Sequence, residues 1–150
     1  FDLHAGEFGV AHEFREEFQG RGYELLVPPT VVSELDFLSA SGVEPPGRFA
    51  SIALEKLVRW RCHPFALSST ELVIARSFAI RLAGLGLIPE TEHNDGKIVA
   101  QASLAQIPLL ATSDKHLLSI DEEALLLALN DADLAPVHPV HPKRLLQALR

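Results

Sequence analysis

His93-Asn94-Asp95-Gly96-Lys97-Ile98-Val99-Ala100-Gln101-Ala102, then Ile107-Pro108-Leu109-Leu110-Ala111-Thr112-Ser113-Asp114, joins an apolar-faced helix to a strand within 22 residues. Asp95 opens the helix, and Ile98, Val99, Ala102 and Ala105 recur on one side with the 3.6-residue period of a core-facing helix. Gln106-Ile107-Pro108 stops it, because proline removes a backbone donor and fixes φ. Leu109 to Thr112 then reads as a fully buried strand, with Asp114 just past its end.

The same alternation continues on either side. Asp2 follows the last residue of a first strand. A helix runs from about Ala5 to Gln19, with Phe8, Val10, Ala11, Phe14 and Phe18 on its apolar side, and Gly20-Arg21-Gly22 ends it. Tyr23 to Val27 is a short β-prone run closed by Pro28-Pro29, and a helix over about 30–39 follows. The turn-rich stretch 41–47 (SGVEPPG) leads to helices near 49–60 and 70–82, with Phe65-Ala66-Leu67 as a short extended piece between them. Downstream come helices at 115–119 and 122–129, the second with the acidic start Asp121-Glu122-Glu123, then a strand at 134–137 and a terminal helix over 142–150. Strands alternating with helices predict one domain spanning 1–150, a three-layer α/β/α fold around a central parallel sheet.

Composition agrees with a folded chain. The sequence of 150 residues is 47% hydrophobic and 22% charged, ordinary values for a globular protein. No apolar run approaches the ~20 residues that span a bilayer, so no membrane association is expected. Cys62 is the only cysteine, which excludes an internal disulfide and a cysteine-based zinc site and favours a reducing compartment, the cytoplasm. The chain opens on Phe1 and contains no methionine, so its natural start is expected upstream. A net charge of −7 and a pI near 5.4 argue against broad electrostatic binding of nucleic acid. They do not argue against a carboxylate site that recruits cations first.

Four acids fall where such a site belongs. In parallel sheets ligands bind beyond the carboxyl ends of the strands. Asp2 and Asp114 follow strands, Asp95 opens the helix leading into the second of them, and Glu34 sits one turn into the helix after Val27. Carboxylates gathered this closely repel unless a cation intervenes, and oxygen ligands favour Mg²⁺ or Mn²⁺ over zinc. Two such ions ~3.5–4 Å apart suit phosphodiester hydrolysis, one activating water and one stabilising the leaving oxygen.

Residues 93–102 and 107–118 resemble the C-terminal half of a PIN domain, in which an Asp opens a helix of small residues and a buried strand delivers Thr-x-Asp. Pro28-Pro29-Thr30-Val31-Val32-Ser33-Glu34-Leu35 is similar to that family's second motif. Phe1-Asp2-Leu3-His4 is similar to a remnant of its first, with His4 where the family has Asn. The ending 134–137 with 142–146 also fits. The resemblance implies an endoribonuclease dependent on Mg²⁺ or Mn²⁺, with Asp2, Glu34, Asp95 and Asp114 as catalytic metal ligands. It also implies RNA as substrate, an antitoxin protein as partner, and a homodimer.

Each acid also has a plainer explanation. Asp95 and Asp114 are well placed as helix caps, Glu34 as a solvated acid, and Asp2 as an ordinary residue near a chain end. Thr112 and Ser113 are expected either to donate hydrogen bonds to the site or to cap locally. His116 reads as a surface histidine. His138-Pro139-Val140-His141 is held extended by proline and offers no third zinc ligand. Arg59-Trp60-Arg61 pairs cations with an aromatic, as RNA contacts do, but reads better as a packed tryptophan between solvated arginines. A degenerate PIN-like module that binds protein or RNA is the main alternative function. A receiver or phosphatase is weaker, since Asp2-Leu3-His4 supplies no Asp-x-Asp nucleophile motif.

Overall fold

The computed structural model describes residues 8–150, so Asp2, the strand before it and the first residues of the first helix lie outside the described residues. Described are α1 (Phe8–Gly20), β1 (Leu26–Val27), α2 (Pro29–Ala40), α3 (Pro46–Arg59), β2 (His63–Pro64) and α4 (Ser69–Gly84). They are followed by α5 (His93–Leu104), β3 (Leu109–Ala111), α6 (Lys115–Leu118), α7 (Glu122–Asp131), β4 (His138–Val140) and α8 (Pro142–Leu149). Two compact units result, one formed by the chain up to Phe65 together with Pro142–Arg150, the other by Ala66–His141.

The central parallel sheet of a three-layer α/β/α fold does not form among the described residues. Instead there are two separate parallel pairs, β1 with β2 and β3 with β4. Proline closes one edge of each pair. His63 N–H donates to Leu25 O and Phe65 N–H to Val27 O, so Pro64 between them takes the position whose N–H would face the other edge of β2. Likewise His138 N–H donates to Pro108 O and Thr112 N–H to Val140 O, and Pro139 takes the outward position of β4. A strand that lacks its outward donor can only be an edge. Pro28 and Pro108 also shorten the partner strands.

The expected buried strand at 109–112 is correspondingly open. Leu110 is buried, but Leu109 is 48% exposed. The last strand falls at 138–140 rather than 134–137, and the short extended piece at 63–64 rather than 65–67. The expected helices from residue 30 onward are present to within a few residues at each end.

In the first unit α2 packs on α3. Leu35, Ala50, Ala53 and Leu57 form a core with Val27, Trp60 and Cys62. Trp60 is 6% exposed, with Lys56 Nζ 4.8 Å and the Arg15 guanidinium 5.5 Å from its ring centroid. Its ring is therefore spent on packing, not offered for stacking on a base, while Arg59 and Arg61 are exposed. The two ends of this unit meet through α1 and α8. Arg21 Nη2 donates to Leu149 O at 3.3 Å, and Arg150 pairs with Glu13.

The second unit is organised on α4 against α5. A capping box starts α4: Glu71 N–H donates to Ser68 Oγ at 3.1 Å, and Ser68 N–H donates to the Glu71 carboxylate at 2.9 Å. Ala75, Phe78, Ala79 and Leu82 are the buried face of α4. On α5 nearly every residue from Asp95 to Ser103 is buried, including Gln101 and Ser103, whose Oγ donates to Ala135 O at 2.8 Å.

Candidate metal centre

Asp95 owes its position to a close contact between α4 and α5. Gly96 follows it, and a Cβ there would stand 2.7 Å from Ala79 Cα, 2.8 Å from Ala79 Cβ and 3.1 Å from Ile88 Cδ1. Only a residue without a side chain lets α5 approach α4 this closely. The approach buries Gly96 and, beside it in the first turn of α5, Asp95. Asp95 is 7% exposed, and no other acid among the described residues is buried. It lies inside the helix, which starts at His93 after the N-cap Glu92. It is therefore a first-turn acid favoured by the helix dipole rather than the cap itself.

Asp114 reaches the same place from β3. It is the N-cap of α6, and its Oδ1 accepts from the backbone N–H of His116 at 2.7 Å and of Leu117 at 3.4 Å. Its own N–H donates to Thr112 Oγ1 at 3.1 Å. The plain cap reading of Asp114 thus holds, and Thr112 acts as a local turn group. Capping also sets the base of the His116 side chain beside the acid.

His116 Nδ1 is the common neighbour of three carboxylates. It lies 3.8 Å from Asp95 Oδ2, 3.8 Å from Asp114 Oδ1 and 4.0 Å from Glu92 Oε1. These contacts are longer than hydrogen bonds. Ligand atoms of Glu92, Asp95 and His116 all lie within 4.8 Å of one another. Two carboxylates at that separation repel by roughly 3 kcal/mol at an effective dielectric of 20, and by less where one is solvated. Glu92 is part-exposed and Asp95 buried, and a cation between them would offset that repulsion.

The trio fits one ion after a small contraction. Metal–ligand bonds of about 2.0–2.2 Å put tetrahedral ligands about 3.4 Å apart, so the 3.8 and 4.0 Å spacings from His116 Nδ1 must each close by about half an ångström. The side chains of Glu92 and His116, 39% and 47% exposed, have room for that movement.

Of the four acids expected from the sequence, Asp95 and Asp114 are brought together around His116. Glu34 is half-buried on α2 and belongs to the first unit, and Asp2 lies outside the described residues. Ser113 follows Thr112 in the β3–α6 turn, part-buried. Glu92 and His116 are members that the sequence reading did not assign. Their signal was present in the spacing, with Glu92 three residues before Asp95 and His116 two after Asp114. Both spacings occur throughout proteins without meaning, and only the meeting of the two segments gives them any. Elsewhere, His138 Nδ1 lies 2.9 Å from Glu122 Oε1, and Asp121 caps α7 through Ala124 N–H.

No protein-family model, curated protein or solved structure matches the chain. No helix among the described residues is long and apolar enough to cross a membrane.

Proposed function

We propose that the chain is a divalent-cation-dependent hydrolase of RNA phosphodiester bonds, with the cation held by the carboxylates of Glu92 and Asp95 and with Asp114 and His116 beside them. The observation that supports this is the convergence of a buried carboxylate, two part-exposed ones and an imidazole at the junction of α5 and α6. A bound Mn²⁺ or Mg²⁺ would lower the pKa of a water and offset phosphate charge. The chain's own part is to hold that charge in place. Asp95 is fixed by helix packing, and Asp114 and His116 are fixed to each other by the α6 cap. RNA as the phosphodiester, an antitoxin partner and a homodimer rest on the motif resemblance. Among the four acids of that resemblance, the proposal draws its support from Asp95 and Asp114.

One observation favours a second reading, a binding module without catalysis. Protonated His116 would itself supply the positive charge that three carboxylates ask for, and Asp114 Oδ1 is already used as a cap. Cleavage of a single-stranded RNA by wild type, Asp95→Asn and Asp114→Asn in Mn²⁺ separates the two. Hydrolysis should fall on the order of 100-fold in Asp114→Asn, the upper end of what loss of a metal's supporting groups costs, and further in Asp95→Asn, which removes a proposed ligand, with circular dichroism unchanged. Undiminished cleavage by both variants overturns the nuclease reading, and a wild type that neither cleaves nor responds to Mn²⁺ favours the module.

A further inference from the structure

Reading this cluster as a divalent-cation site, we infer that His116 Nδ1 is itself a ligand of the ion, which makes the centre selective for a first-row transition ion over Mg²⁺. The inference rests on the proposed cation site and adds the donor that sets its chemistry. One ring nitrogen, Nδ1, faces Asp95, Asp114 and Glu92 at 3.8, 3.8 and 4.0 Å. Its orientation has a cause: the His116 backbone N–H is held by Asp114 Oδ1 at 2.7 Å, so ring and acid leave the chain side by side. Asp95, 7% exposed, brings its buried Oδ2 toward that nitrogen from the opposite segment. Two carboxylates and one imidazole form a mixed oxygen–nitrogen set. Mg²⁺ prefers oxygen and gives up its water reluctantly, whereas imidazole raises affinity along the series from Mn²⁺ to Zn²⁺.

Titration calorimetry with Zn²⁺, Mn²⁺ and Mg²⁺ on wild type, His116→Ala, His116→Gln and Asp95→Asn tests it. Wild type should bind Zn²⁺ more tightly than Mg²⁺ by on the order of tenfold or more. Both His116 variants should narrow that preference several-fold while keeping their Mg²⁺ affinity, which also reports that they are folded, and Asp95→Asn should lose both ions. A Zn²⁺-to-Mg²⁺ ratio unchanged in the His116 variants overturns the inference and leaves the cation site standing. A wild type that binds none of the three ions overturns both. If neither His116 variant folds, ¹⁵N resonances of the wild-type imidazole decide: Nδ1 of His116 shifts on Zn²⁺ saturation if it is a ligand, and an unmoved resonance rejects it.

Discussion

Cys62 shows how much a single residue's chemistry depends on what surrounds it. Burial pushes its thiol pKa up, and this outweighs the opposing pull of Arg15. The thiolate is the reactive form, so Cys62 should react slowly with a disulfide reagent at mildly alkaline pH and rapidly once urea opens the first unit. Equal rates in the two conditions would contradict its packing. The folded chain holds this proton more tightly than the unfolded chain does. The stabilisation is therefore complete below the ordinary thiol pKa and is lost as pH rises through the raised folded value. At Asp95 the environment acts on a residue that reads, from its neighbours alone, as a helix-start acid. What distinguishes it is that Gly96 lets its helix sink against Ala79.

Among the elements, α4 and α5 carry the site, and two substitutions test them. Gly96→Ala should destabilise the fold despite a helix-propensity gain of up to about 1 kcal/mol. Forcing α5 off Ala79 costs about 1–3 kcal/mol, and the same displacement should weaken Mn²⁺ binding. A variant as stable as wild type in urea would show that the two helices have slack. Ser68→Ala removes one half of the capping box that starts α4 and should cost about 1 kcal/mol, read from the urea midpoint. Since Ser68 takes no part in the cluster, its loss should leave cation affinity unaltered. The β-pairs obey a different control. Pro64 and Pro139 each sit at the outward-facing position of an edge strand, so neither pair can grow on that side. Each pair therefore ends at β2 or β4 and cannot be widened there into a larger sheet.

For the whole molecule, the consequence of the proposed centre is thermodynamic. A cation that binds only the folded second unit stabilises it by about 2.7 kcal/mol at a concentration one hundred times its Kd. Millimolar Mn²⁺ should accordingly raise the melting temperature of wild type and leave that of Asp95→Asn unmoved. A melting curve of wild type indifferent to Mn²⁺ would remove the cation from the account. The first unit contributes none of the proposed centre's residues. It is discontinuous in the chain, with α8 returning from residue 142 to close on α1 through Arg21, Leu149, Glu13 and Arg150.

Much of the local structure was legible in the sequence, because periodicity, prolines and caps act over a few residues. The apolar side of α5, the stop at Gln106-Ile107-Pro108, the acidic start of α7 and the packed Trp60 between exposed arginines all follow from neighbours along the chain. The positions of Asp95 and Asp114 at a helix start and beyond a strand were legible for the same reason. The sheet was not, since alternation says which segments are extended but not which of them pair, and only the tertiary structure joins β1 to β2 and β3 to β4 as separate pairs. Nor were Glu92 and His116 legible as site members. Each belongs to a common short spacing, and their value comes from α5 and α6 meeting in space, where Nδ1 of one histidine faces three carboxylates.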